Sequence, residues 1–205
     1  MHYRDTPQMA TSAIDARVTD LALRAARGDR KALNAFIAET HDDVWRLLAH
    51  LADRDRADDL TQETYLRVLS ALPRFAARST ARTWILSLAR RVWVDSVRHD
   101  MARPRSSGAE VSEELASSHA EEDAGGNTWA EWVDTRAMVD ALEDERREAL
   151  ILTQVLGYTY AEAANIAGVR VGTIRSRVAR ARADLVEMSR QKNSTQGTWQ
   201  QQRNG

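Results

Sequence analysis

The chain contains no cysteine. No disulfide framework can hold it together, and no thiolate can serve as nucleophile, metal ligand or redox sensor. Proline is nearly absent, with 3 residues among 205, and glycine is sparse at 9. With so few chain breakers, and with Arg, Ala, Leu and Glu abundant, helix is favoured throughout. No apolar run approaches the roughly 18 residues that a membrane helix needs, and no signal peptide is evident. The expected location is cytoplasmic, with no membrane partner. The 5 histidines, His2, His41, His50, His99 and His119, never fall at metal-ligand spacing. Neither a metal nor any other cofactor is expected.

Net charge is also lacking: 29 Lys and Arg against 30 Asp and Glu leave −1. The near-neutral total conceals segregation. Arg74, Arg78, Arg82, Arg90, Arg91, Arg98, Arg103 and Arg105 fall in one stretch whose only acids are Asp95 and Asp100. From Glu110 to Asp123 the sign reverses, and that stretch has no Lys or Arg. Local patches of this kind, rather than the total, decide whether nucleic acid is a partner.

Periodicity divides the chain. Residues 1–16 read as a loose polar tail. Val18 to Ala26, Lys31 to Ala52, Asp58 to Leu72 and Thr83 to His99 have helical spacing, broken at Gly28-Asp29, at a charged turn over Asp53 to Asp55, at Pro73 and at an Arg-, Ser- and Thr-rich loop. Periodicity is lost from Arg103 to Asn127, where Pro104, Ser106, Gly108, Gly125 and Gly126 punctuate an acidic linker. Helical spacing returns over Val133 to Leu142 and Glu145 to Leu156. The end of the chain, 190–205, is polar and expected to be disordered. The expected architecture is all-α: one small helical domain over 17–101, a linker over 102–128, and a second helical domain over 129–189.

Three stretches carry chemistry. The first runs from Tyr160 to Arg182 and reads as two short helices joined at Gly168. Ala163, Ala164 and Ala167 allow close approach, and Val169, Ile174 and Val178 are apolar pegs. The second helix carries Arg175, Arg177, Arg180 and Arg182 with no acid, whereas surface helices usually mix signs. This is a helix-turn-helix pattern suited to the major groove. Arg175, Ser176 and Arg180 share an outward arc, and Thr173 lies near the helix start, where phosphate can be met. The second stretch is Asp58-Asp59-Leu60-Thr61-Gln62-Glu63. Its acids lie one turn apart near a helix N-terminus, where the dipole favours them. A carboxylate metal site in a helical bundle would need matching Glu and His on other helices, and the sequence offers none. The third, Arg74 to Arg98, interleaves Trp84 and Trp93 with arginines, the composition that binds single strands by stacking and phosphate contact. Nine residues apart on a helix, the two rings point in opposite directions, so at most one is buried in a given place.

Together these stretches resemble the extracytoplasmic-function (group IV) sigma factors of bacterial RNA polymerase. Asp59-Leu-Thr-Gln-Glu-Thr-Tyr-Leu-Arg67 is similar to the region 2.2 signature of that family. Phe75-Ala-Ala-Arg-Ser-Thr-Ala-Arg-Thr-Trp-Ile85, with Leu88-Ala-Arg-Arg91 and Asp95, is similar to its −10 segment. Val171-Gly-Thr-Ile-Arg-Ser-Arg-Val-Ala-Arg-Ala-Arg182 is similar to its region 4.2 pattern. The resemblance spans Val18 to Glu187 in order.

It implies that Asp58, Asp59, Leu60, Gln62, Glu63 and Leu66 dock on the clamp helices of the largest polymerase subunit. Arg78, Ser79, Thr80, Arg82, Trp84, Arg90 and Arg91 would hold the −10 strand. Thr173, Arg175, Ser176, Arg177 and Arg180 would read the −35 duplex, with the same module touching the flap. The implied function is that of a dissociable promoter-specificity subunit that also drives strand opening and is not an enzyme. An anti-sigma factor covering these faces is compatible with the resemblance. The chain departs from the family pattern at Ala77 (Gly in the family), Ala81 (Phe), Arg91 (Asn) and Arg170 (Ser or Pro). Two other readings of the same residues are a stand-alone helix-turn-helix regulator and a helical metalloenzyme built on Asp58, Asp59 and Glu63.

Overall fold

The computed structural model describes residues 6–52, 54–102 and 136–203, with side chains over 13–52, 54–102 and 136–192. The described residues are helical, with no strand among them. Helix α1 spans Thr6–Ala26, α2 spans Arg30–Leu51, α3 spans Arg54–Ala71 and α4 spans Ala81–Ala102. Residues 136–140 are helical. They are followed by α5 (Asp144–Leu150), α6 (Tyr160–Ala167) and α7 (Val171–Arg203). The expected acidic linker from 103 onward, and Trp129 and Trp132, lie outside the described residues.

Each boundary has a local cause. Asp29 caps α2 by accepting from the Ala32 N–H at 3.0 Å, which satisfies one of the free donors at a helix start. Pro73 ends α3 within a 3₁₀ turn over Leu72–Arg74. Thr80 starts α4: its Oγ1 accepts from the Thr83 N–H at 3.2 Å, and its carbonyl accepts from the Trp84 N–H at 3.0 Å. A Thr159–Glu162 capping box opens α6. Gly168 closes it at φ 67°, ψ 34°, a left-handed turn that glycine enters without steric cost. Between α5 and α6, Ile151–Val155 form a wider π-helical turn.

Helices α1 to α4 pack around Phe36, Val44, Leu47, Leu48, Leu51, Ile85 and Leu86, all fully or almost fully buried. On α2 the buried positions recur at helical steps from Ala32 to Leu51. Burying each of its Leu and Phe side chains stabilises the fold by roughly 1.5–3 kcal/mol. The same apolar cluster continues into Ile151, Leu152, Ala163, Ile166, Ile174 and Val178, so the two groups of helices share one core. A smaller cluster of Leu142, Leu150 and Ala181, with Leu185 and Met188 against it, anchors the proximal half of α7.

Four expectations change. The N-terminal segment is helical from Thr6 rather than a loose tail. It is held where Asp15 meets Arg82, and where the Thr19 hydroxyl accepts from the Ala81 N–H at 3.0 Å. Helix α3 begins at Arg54, inside the expected charged turn, with Ala57 buried in its first turns. Helix α4 begins at Ala81 rather than Thr83, because Thr80 is its cap. The terminal segment 190–203 is helical rather than disordered. It contains no proline, and adding residues to an existing helix is far easier than starting one.

Candidate polymerase and promoter interfaces

The acid face of α3 is largely as the spacing implies. Asp58, Asp59 and Gln62 are exposed and Glu63 is half-buried. Asp58 is fixed from below: the Trp45 Nε1–H donates to its Oδ1 at 2.8 Å, and the Arg54 guanidinium lies 6.0 Å above the Trp45 ring. Leu60 points the other way, 7% exposed, into the core. There it packs α3 onto the other helices. Leu66 at 61% and Leu69 at 45% exposure give this acid face an apolar end. Leu69 escaped the sequence reading because an apolar residue at helical spacing looks like core. Beside them Tyr65 reaches inward to Thr40 Oγ1 at 2.9 Å, and burial pushes its phenol up to about 12.

The Arg-, Ser- and Thr-rich loop and α4 form the second surface. Arg78 is exposed in the loop, beside Ala77, whose φ of 50° puts a residue with a side chain in the left-handed region. Ser79 and Thr80 are half-buried; the hydroxyl of Thr80 donates to Thr83 Oγ1 at 3.0 Å and is committed to capping. Trp84 stands at the mouth of the loop against Phe75, ring centroids 4.7 Å apart and tilted by 41°. Trp93 is the buried member of the pair, at 5% exposure. Arg91 is exposed.

Two arginines of this surface are engaged internally. The Arg82 Nε–H donates to Asp43 Oδ2 at 2.8 Å, and its Nη1 lies 3.7 Å from Asp15. Arg90 is ion-paired with Glu148 of α5. Burial pushes the Glu148 carboxyl above its usual range, and the Arg90 pairing only partly opposes this. The Arg147 guanidinium adds a bond from α5 to the Leu51 carbonyl at 3.1 Å. Asp15, Asp43 and Glu148 carry no local sequence signal, because their partners lie far along the chain.

The third surface is α7. Ile174 and Val178 are buried, which turns Arg175, Ser176 and Arg180 to solvent; Thr173 is half-buried near the helix start. Arg177 faces inward and pairs with Glu145 of α5. Arg182 is exposed and donates to Gln154 Oε1 at 2.6 Å. Of Arg175, Arg177, Arg180 and Arg182, the two that form no ion pair or hydrogen bond among the described residues are Arg175 and Arg180. Among the described residues no group of His, Asp and Glu could hold a metal ion, and no helix is long and apolar enough to cross a membrane.

The described residues thus combine an acidic helix face, an aromatic and arginine loop, and a capped helix-turn-helix. Residues 36–103 match the sigma-70 region 2 family and residues 133–185 match sigma-70 region 4. The chain belongs to the sigma-70 family. It is 50% identical over 177 residues to the ECF RNA polymerase sigma factor SigC of Mycobacterium tuberculosis, covering 86% of this chain and 94% of that one. It is 37% identical over 131 residues to the ECF sigma factor EcfG of Rhodopseudomonas palustris, covering 64% of this chain and 70% of that one. Among solved structures, the sigma factor RpoE of Bartonella quintana, in complex with the anti-sigma factor NepR, superposes with a TM-score of 0.65 at 25% identity, covering 78% of this chain and 98% of that one. CnrH, in complex with the cytosolic domain of CnrY, shares the fold with a TM-score of 0.63 at 21% identity, covering 84% of this chain and 96% of that one. The chain is thus a dissociable sigma factor of the extracytoplasmic-function group. It binds core RNA polymerase, recognises promoter DNA and promotes strand opening.

Proposed function

We propose a division of labour among the three surfaces. Asp58, Asp59, Gln62 and Glu63, with Leu66 and Leu69 at their apolar end, dock on the clamp helices of the largest polymerase subunit. Arg78, Ser79, Trp84 and Arg91 capture the melted −10 strand, Trp84 offering a ring face and the arginines meeting phosphate. Arg175, Ser176 and Arg180 read the −35 duplex from the major groove. Leu60, Thr80, Arg82 and Arg177 serve as scaffold. Arg90 joins the strand-binding set when its pairing with Glu148 is given up. The observation that carries this reading is the sorting of arginines: on both DNA-facing helices some are paired to internal acids, while Arg78, Arg91, Arg175 and Arg180 remain exposed.

The chain performs no bond chemistry; strand opening is driven by binding. Extruding a base costs a few kcal/mol, offset by stacking and phosphate contacts. Each surface alone binds weakly, and holding both on one polymerase raises the effective concentration of the second. The work is done in the cytoplasm. By likeness to the NepR-bound relative, an anti-sigma factor covers these faces when the chain is idle.

Gel-shift assays with promoter DNA test the reading, first with the free chain and then with core polymerase added. Promoter-specific retardation should require the polymerase. Specific sub-micromolar duplex binding by the free chain would replace this reading with that of a stand-alone regulator.

A further inference from the structure

Arg67 lies between two of the surfaces assigned above. Its Nε–H donates to Glu63 Oε1 at 2.9 Å, one turn back on α3, and its Nη1–H donates to Asp95 Oδ2 at 2.6 Å on α4. Glu63 belongs to the acid docking face. Asp95 stands between Arg91 and Arg98 at i, i+4 and i+7 positions, which share one side of a helix. Arg91 and Arg98 are both exposed, and among the described residues neither forms an ion pair. A second strap, from Arg56 Nη1 to Asp100 Oδ2 at 2.8 Å, joins the same two helices farther along, so Arg67 is not needed merely to tie them together.

A carboxylate inside a cationic stripe repels phosphate unless its charge is cancelled. We propose that Arg67 is a positioning residue of the strand-binding face that cancels Asp95 and makes that cancellation depend on polymerase docking. The inference rests on the reading of α3 as the docking face and α4 as the strand-binding face. In the free chain Arg67 divides its donors between Glu63 and Asp95. A basic group of the polymerase that pairs with Glu63 removes one competitor and leaves Arg67 to Asp95. Arg91, Asp95 and Arg98 then meet the strand as an uninterrupted cationic stripe. Docking and strand capture are thereby linked, and the linkage is reciprocal. Arginine suits this position because its planar fork carries five donors and can serve two carboxylates at once.

The test uses holoenzymes assembled from full-length variants and a fork DNA with a single-stranded −10 non-template strand, titrated at several salt concentrations. Core-polymerase affinity is measured in the same preparations. Arg67→Ala should weaken fork binding by roughly fivefold and flatten the salt dependence by about 0.7, the slope of one single-strand phosphate contact. Adding Asp95→Asn to Arg67→Ala should bring fork affinity back to within about twofold of wild type, since the two residues act as one coupled pair. In the free chain, Glu63→Gln should raise strand affinity. If Asp95→Asn fails to rescue Arg67→Ala, Arg67 is only a strap between helices and the inference is overturned. An unchanged strand affinity in the Glu63→Gln free chain overturns its dependence on docking. Arg91→Ala separates the two levels: unchanged fork binding in Arg67→Ala alone overturns the role of Arg67, and unchanged binding in both Arg67→Ala and Arg91→Ala means that the assignment of α4 has failed.

Discussion

Arg90 on α4 and Glu148 on α5, 58 residues apart in the chain, form an ion pair whose carboxylate is 2% exposed and whose guanidinium is 22% exposed. Burial raises the Glu148 carboxyl above its usual 4.5, and Arg90 opposes this only in part. The packed form therefore binds a proton at Glu148 more tightly than the unfolded chain does. The resulting stability is fully present below pH 4.5 and is lost as pH rises through the raised value. Glu148→Gln imitates the protonated state, so its melting temperature relative to wild type should be more favourable at pH 7 than at pH 4. A difference of a few degrees is expected, the scale of about 1 kcal/mol for a chain of this size. The opposite order, measured by calorimetry, would mean that pairing outweighs desolvation at this site.

Arginines on one helix should separate by role. Arg175→Ala and Arg180→Ala should each weaken holoenzyme binding to a −35 duplex by about 1–3 kcal/mol if they contact bases, with little change in melting temperature. Arg177→Ala should do the reverse. Its guanidinium is 15% exposed and paired with Glu145, so stability should fall by about 1 kcal/mol. Parallel titrations and melts of the three variants check the division.

Two backbone positions in the left-handed region predict effects of different size. A Cβ added at Gly168 would meet nothing within 4 Å, so Gly168→Ala tests the backbone alone and should cost about 1 kcal/mol. At Ala77, φ is already 50° with a side chain in place. Ala77→Gly relieves that strain but adds freedom to the unfolded chain, so its net effect should stay within about 0.5 kcal/mol. Urea denaturation of both variants measures the contrast.

The start of the helix-turn-helix depends on Thr159, whose side chain accepts from the Glu162 N–H while Glu162 returns a bond to the Thr159 N–H at 2.8 Å. Thr159→Ala should lower stability by about 1 kcal/mol. Amide exchange should rise first at the start of α6, because the loss is local. Uniform exchange across the chain would mean that the cap stabilises more than its own helix.

Much of the fold is legible because helical spacing on α2 and α4 reports one buried side for each, and Pro73 and Gly168 act where they stand in the sequence. The register of the recognition helix is legible for the same reason: Ile174 and Val178 sort Arg175 and Arg180 outward. What is hidden is long-range pairing. Arg82, Arg90, Arg91, Arg175 and Arg177 look alike as letters, and only the folded chain shows that Asp43, Glu148 and Glu145 neutralise three of them. Leu60 and Leu66 are likewise indistinguishable by type, yet one is core and the other is surface. A hydroxyl near arginines, as at Thr80, suits a strand-binding pocket in the sequence, and only the folded chain shows that it also caps α4. The early start of α1 had no periodic signal, since Asp15 is buried against an arginine rather than against apolar neighbours.

Helix α7 runs without interruption from Val171 to Arg203, 33 residues and therefore about 50 Å at 1.5 Å per residue. Among the described side chains, Ile174, Val178, Ala181, Leu185 and Met188 pack it against the rest of the molecule. Those contacts sit close to the end of the helix that carries Arg175 and Arg180. Over such a length, a rotation about these five side chains carries the backbone at Arg203 through a far wider arc than the backbone at Arg175.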